Sequence, residues 1–309
     1  MWSASSPGRR LGLGKEQFRL HLEALNRVYD RSFLHTDPLG IVRRFDGPED
    51  RELVGLLAAG LSYGRVESIR KSLEKLLTVL GPRPSRFLES FDPQRDAALL
   101  DGFAYRFTRG RDVALMLWLI RQAIEGSGSL ENFFLEGDPD PGSDTLEGAM
   151  NRFGDRLFAL DSRPFHGDGR IPARDGVRWL LPLPREGSVS KRHCLFLRWM
   201  IRPDDGVDCG IWKLVSPSRL VLPLDVHLQR LALVLGWTRR RSPSWAMALE
   251  VTASLRHLDP EDPTRYDFSL SRLGILGRLE APRGRLRLSR LSEVLRDVLE
   301  GRDAEKKVC

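Results

Sequence analysis

The chain has 309 residues, 41% of them hydrophobic and 29% charged, with a formal net charge of +7. That composition excludes disorder along the whole length and suits one large domain or two lobes sharing a core. The cationic excess makes polyanions natural partners, although an arginine-favouring composition (42 Arg against 7 Lys) produces the same excess by itself.

Helical periodicity dominates the chain from its first segments. Residues 15–33 carry Phe18, Leu22, Leu25 and Val28 at spacings of three and four. Residues 50–81 predict two helices that meet near Ser62-Tyr63-Gly64, the second stopped by Gly81 and Pro82. The stretch "FAYRFTRGRD" sets Arg106, Arg109 and Arg111 beside aromatics, which suits phosphate contact and an ordinary surface equally. An apolar helix, a Gly/Ser turn and a short aromatic helix follow over 111–137, then a helix from about Thr145. Alternating strand patterns are scarce, no hairpin signal stands out, and 162–174 predicts an irregular connector.

Residues 174–202 predict a helix, a tight Pro/Gly-containing turn and a second helix opening at Lys191. A proline-rich loop leads to the helix "DVHLQRLALVLG", closed by Gly236. Ser242 and Pro243 predict the start of the next helix, and two more complete an almost entirely helical protein. The arginines at 283, 285, 287 and 290 predict a solvated or DNA-facing surface. The expected organisation is a flexible N-terminus over 1–14, an all-α domain over 15–300 and a flexible tail over 301–309.

Three cysteines, Cys194, Cys209 and Cys309, provide neither a full set of disulfides nor a four-cysteine cluster. No apolar run reaches about 18 residues and the first residues lack an apolar signal core, so the expected protein is soluble, cytoplasmic and off the membrane. No His or Cys recurs at ligand spacing, and neither a catalytic metal nor a cofactor is expected.

Lys191 is an unusual choice in a chain that otherwise uses arginine. On a helical wheel Arg198 and Arg202 each fall within about 20 degrees of it, which puts three cations on one face. A helix N-terminus and neighbouring guanidiniums favour the neutral, nucleophilic amine, a state arginine does not reach. A basic helix end that touches phosphate or solvent is the plainer reading. Asp225, 34 positions on (225 minus 191), has a plain reading too, as a helix cap after proline, and a lone His227 is structural more often than not.

Together, a helix-hairpin-helix over about 175–202, a lysine opening its second helix and a later "PLDVH" helix start resemble the helix-hairpin-helix DNA base-excision glycosylases. The long gap from lysine to aspartate is similar to that of the archaeal 8-oxoguanine glycosylase branch. Stretches such as "SKRHCLFLRWMIRPDDGVDCGIW" and "LVLPLDVHLQRLALVLG" resemble more closely an uncharacterised bacterial and archaeal family related to those enzymes. The resemblance implies an all-α glycosylase-like fold, two helical lobes with a cleft between them, and a monomer acting on double-stranded DNA with a damaged base such as an oxidised purine. It implies Lys191 as nucleophile and Asp225 as its assistant, with AP-lyase activity through a Schiff base. It further implies a DNA-backbone grip from Gly187, Ser188, Ser190, Arg192, Arg198 and Arg202, and a base pocket or wedge from Ser62, Tyr63 and Arg65, although Tyr63 as a plug in a helix junction stays open. The hairpin departs from the relatives in carrying one glycine, Gly187, and the iron–sulfur cysteines of the endonuclease III branch are missing. A non-catalytic nucleic-acid-binding protein on the same fold, or an enzyme acting on RNA or free nucleobases, remains open from the residues.

Overall fold

A computed structural model describes residues 7–279 and 286–301. The first helix, α1 (Lys15–Val28), buries Phe18, Leu22 and Leu25 along one stripe, as its spacing requires. Residues 7–14, expected to be flexible, instead pack on the body: Trp237 Nε1 donates to Pro7 O at 3.0 Å, and Arg10 donates to the carbonyls of Leu233 and Val234. Orphan carbonyls at a helix end attract such a cation. The rest of the expected flexible ends, 1–6 and 302–309, lie outside the described residues, as do Arg283 and Arg285.

A short α2 (Leu39–Val42) leads to α3 (Pro48–Gly60) and α4 (Val66–Leu80), which meet across Leu61–Arg65. Gly64 holds φ 103 at this junction, and a Cβ there would lie 2.7 Å from the Arg106 side chain. Two short helices, α5 (Pro84–Ser90) and α6 (Pro93–Asp96), each begin on a proline, the residue preset for a first helical turn. A two-stranded antiparallel ribbon follows, β1 (Ala104–Tyr105) with β2 (Thr108–Arg109). The sequence carries no glycine or asparagine at its tip, and Arg106 takes the left-handed conformation instead (φ 51), so the ribbon escapes pattern reading.

The apolar α7 (Gly110–Ser127) is the central helix, buried over most of its length, with α8 (Leu130–Leu135) and α9 (Glu147–Phe158) against it. The connector over 162–174 is irregular, as its composition predicts. The first arm of the expected hairpin is only the single turn α10 (Val177–Leu180), then a 3-10 turn at Pro184–Glu186. Pro182 and Pro184 explain this shortening, because each disfavours helix in the residue before it. The second arm, α11 (Lys191–Ile201), packs on α3. Beyond it run α12 (Val226–Leu235), α13 (Trp245–Arg256), α14 (Asp267–Ile275) and α15 (Leu288–Leu299). Ser244, not Ser242, caps α13, accepting from Met247 N. The first helix closes on the last two, α1 lying against α14 and α15. Among the described residues, no helix is long and apolar enough to cross a membrane.

Candidate active site: a cleft between two helix starts

Lys191 and Asp225 open two different helices, and both line one cleft of about 1090 Å³. Its walls come from Thr36–Pro38, the Ser62–Arg65 junction with the first turns of α4, the start of α11, the segment Pro223–His227 and one face of α14. Val189, Leu195, Pro223, Val226 and Ile275 make part of it apolar. Its rim is mixed rather than uniformly basic, with Arg65, Arg70 and Lys71 beside Glu67 and Glu74, and Glu74 pairs with Arg44 at 2.9 Å.

The hairpin turn sets up the lysine end. Gly187 takes φ 75 and closes the 3-10 turn, and Ser190 N donates to Ser188 Oγ at 3.0 Å. Ser190 occupies the left-handed region (φ 47, ψ 30), unusual for a residue with a side chain, and gives the helix no side-chain cap. The first amides of α11 are therefore left to the turn itself, the arrangement by which a helix start receives an anion. Gly187 is exposed and Ser188 partly so, but Ser190 is fully buried and meets no backbone phosphate through its side chain.

The other expected grip residues are spent inside the protein. Arg198 donates to Asp208 through Nε (3.1 Å) and Nη2 (2.9 Å), and pairs with Asp267 through Nη1. Arg202 pairs with Asp208, Asp205 and Asp262. Arg198 and Arg202 are 2% and 5% exposed, so neither is free to grip a DNA backbone, although Arg198 floors the cleft. The wheel correctly puts both on the face of Lys191. That face runs from cleft to interior, however: Lys191 opens into the cleft, Arg198 reaches only its floor, and Arg202 lies beyond it. Arg192 is also engaged: its guanidinium lies 5.1 Å from the centre of the Tyr63 ring and donates to Gly60 O at 3.2 Å. Burial lowers it to about 10, and its role is a strut between α11 and the α3–α4 junction. His193, two residues past Lys191, is a buried ring beside Phe134 and Phe153, pushed down to about 3 by burial and hence neutral.

Ser62, Tyr63 and Arg65 all line the cleft. Ser62 Oγ, just past the end of α3, donates back to Ala58 O in its last turn at 2.7 Å. Tyr63 is no free wedge, because its hydroxyl bonds Tyr105 O (3.0 Å) and Thr108 Oγ1 (2.7 Å) while Arg192 sits over its ring. It is a fixed wall of the cleft, and Arg65 is exposed at the rim.

Asp225 is the cap its position predicts, with Oδ1 accepting from His227 N (2.9 Å) and Leu228 N (2.8 Å). It also contributes its charge to the cleft floor, where sequence reasoning missed two ion pairs, Arg198–Asp267 and Arg272–Asp37. Burial pushes Asp267 up to about 6, with Arg198 opposing the rise and Asp225 adding to it. Burial lowers Arg272 from its usual value, opposed by Asp37, Asp267 and Asp225. His227 lines the cleft as well. It lies so close to α14 that a Cβ on Gly274 would come within 2.5 Å of its ring and Cβ. The signal for this floor was "YDFSLSRLG", where aspartate and arginine interrupt an apolar helix, yet nothing local says which residues they meet.

No group of three or more His, Cys, Asp or Glu side chains among the described residues is arranged to hold a metal ion. The chemical inventory at the cleft is a lysine amine at an open helix start, a carboxylate at a second helix start, and an apolar wall.

The chain belongs to the family described as "Protein of unknown function (DUF2400)", whose match covers residues 37–276. No curated protein and no solved structure matches it. The matched span holds Lys191, Asp225 and Tyr63 and leaves out α1 and α15.

Proposed function

We propose, for this member of a family without an assigned activity, that the cleft is the active site of a DNA base-excision glycosylase with AP-lyase activity. The observation that carries the reading is that Lys191 and Asp225 line one cleft with Ser62, Tyr63 and Arg65. The reading takes the fold as helix-hairpin-helix glycosylase-like, with the cleft between two helical groups. One group joins α1, α12, α14 and α15; the other joins α3, α5, α7 and α10.

In this reading the damaged nucleotide is turned out of the duplex into the cleft. The Lys191 amine attacks C1′ of the deoxyribose and the C1′–N bond to the base breaks, the base leaving with its electron pair and taking up a proton. Opening of the sugar ring gives a Schiff base between Nζ and C1′. Loss of a C2′ proton then expels the 3′ phosphate by β-elimination. Asp225 takes the ammonium proton and offsets the positive charge that grows on the sugar. Gly187, Ser188 and the first amides of α11 are the anion grip that remains after the buried arginines are set aside.

Borohydride trapping on duplexes carrying 8-oxoguanine or an abasic site tests the reading. A covalent protein–DNA adduct that disappears in Lys191→Ala is expected. No adduct across a panel of damaged bases would overturn the lyase assignment. Base release that survives Lys191→Ala but not Asp225→Ala would make the enzyme monofunctional.

A further inference from the structure

The ribbon β1–β2 turns at Arg106 and Phe107, and its tip faces water. Phe107 is 70% exposed and Trp179, on α10, is 56% exposed. Their ring centroids lie 6.0 Å apart at an interplanar angle of 32°. Single exposed hydrophobics are ordinary on a protein surface, but two large aromatics side by side form a patch that leaves costly apolar area in water.

The patch is fastened to the cleft wall. Tyr105 Oη donates to Tyr63 O, and the Tyr63 hydroxyl bonds back to Thr108 Oγ1 at 2.7 Å. The Arg106 side chain sits against Gly64, which lines the cleft. Leu180, next to Trp179, packs on Gly60, where a Cβ would lie 3.1 Å from the Leu180 carbonyl oxygen. Both aromatics are therefore carried by elements that brace the α3–α4 junction. Arg65, Arg106 and Arg109 are exposed on the same junction and ribbon.

We propose that Phe107 and Trp179 form a stacking platform for an unpaired nucleobase adjacent to the nucleotide held in the cleft. Exposed rings accept any base through its flat face, and flanking guanidiniums neutralise the phosphates that come with it. This combination of flat apolar area and positive charge matches a nucleic-acid strand. The inference rests on the nucleic-acid reading of the cleft and adds a substrate preference: DNA in which a base beside the reacting nucleotide is unpaired.

The test measures binding of the full-length protein to three oligonucleotides of equal length: single-stranded, duplex with one mismatch, and fully paired. The wild type is expected to bind the first two more tightly than the third. Phe107→Ala with Trp179→Ala is expected to remove about tenfold of the affinity for the first two and little for the third. Phe107→Leu, which keeps apolar area without a ring, is expected to show a loss of the same sign. Equal losses on all three, or no loss, would overturn the platform. Self-association of the wild type that the double substitution abolishes would also overturn it, and would make the patch a protein interface. A retained preference for unpaired bases without a trapped Lys191 adduct supports the platform and removes the lyase reading. A trapped adduct with unchanged binding in the double variant does the reverse.

Discussion

Arg198 of α11 is ion-paired with Asp267 of α14 across the floor of the cleft, although 69 positions separate them in the chain. The pair is buried on both sides, and Asp208 shares the guanidinium. Removing one partner of such a pair leaves an uncompensated charge in the interior, which costs far more than the pair gains in place. Arg198→Ala is therefore expected to destabilise the protein by about 3–5 kcal/mol in urea unfolding. Arg198→Met, which fills the volume but still strands Asp267, is expected to lose less when Asp267→Asn is added than when it stands alone.

Asp225 combines a cap and a charge at the cleft, and the two separate by substitution. Asparagine caps a helix about as well as aspartate. Asp225→Asn is expected to keep thermal stability within about 1 kcal/mol of the wild type while base release falls by about 100-fold or more. Asp225→Ala is expected to lose both. A drop in stability with unchanged base release in either variant would reduce Asp225 to a cap.

Gly274 sets how closely α14 approaches the start of α12. The first atoms a Cβ would meet are the His227 Cβ and ring, not the end of a flexible chain, so the helix start itself must shift. Gly274→Ala is expected to displace Asp225 from the cleft floor. The expected result is base release more than tenfold below wild type with α-helical circular dichroism retained. His227→Gly in the Gly274→Ala background removes both the ring and the Cβ that clash and is expected to restore part of the rate, which a purely destabilising substitution would not allow.

Glu52 of α3 accepts a hydrogen bond from Trp212 Nε1. Burial pushes its carboxyl up to about 7, with the Trp212 bond opposing and Glu131 adding to the rise. The folded state then holds the Glu52 proton more tightly than the unfolded chain does. Its contribution to stability is fully present below the unfolded value of 4.5 and is lost as pH rises through about 7. Glu52→Gln, neutral throughout, is expected to gain on the wild type between pH 5 and pH 8 by an amount on the order of 2 kcal/mol. Melting temperatures of both proteins across that range read the difference, and parallel curves would contradict it.

Much of the helical framework was legible along the chain. The stripe Phe18-Leu22-Leu25 gave α1, and Gly81 and Gly236 marked the stops of α4 and α12. These are local effects, set by side-chain spacing and backbone freedom within a few residues. Boundaries failed where a neighbouring residue competed: α10 shrank to one turn between prolines, and Ser244 took the cap from Ser242. The β-ribbon was hidden because its tip uses Arg106 in a left-handed conformation rather than the glycine or asparagine that would signal it.

The sequence by itself determined that Lys191 begins a helix, that Asp225 caps another, and that Arg198 and Arg202 share the lysine's face. Only the tertiary structure decided what those cations do. A helical wheel gives direction around an axis but not depth, and the axis of α11 runs from the cleft into the body. Lys191 therefore keeps an open position, while the arginines further along are neutralised by Asp208, Asp262 and Asp267, residues with no periodic relation to them. That Lys191 and Asp225 line one cleft, and that the Phe107 and Trp179 rings lie side by side, was equally beyond any local pattern, because each depends on how distant segments pack.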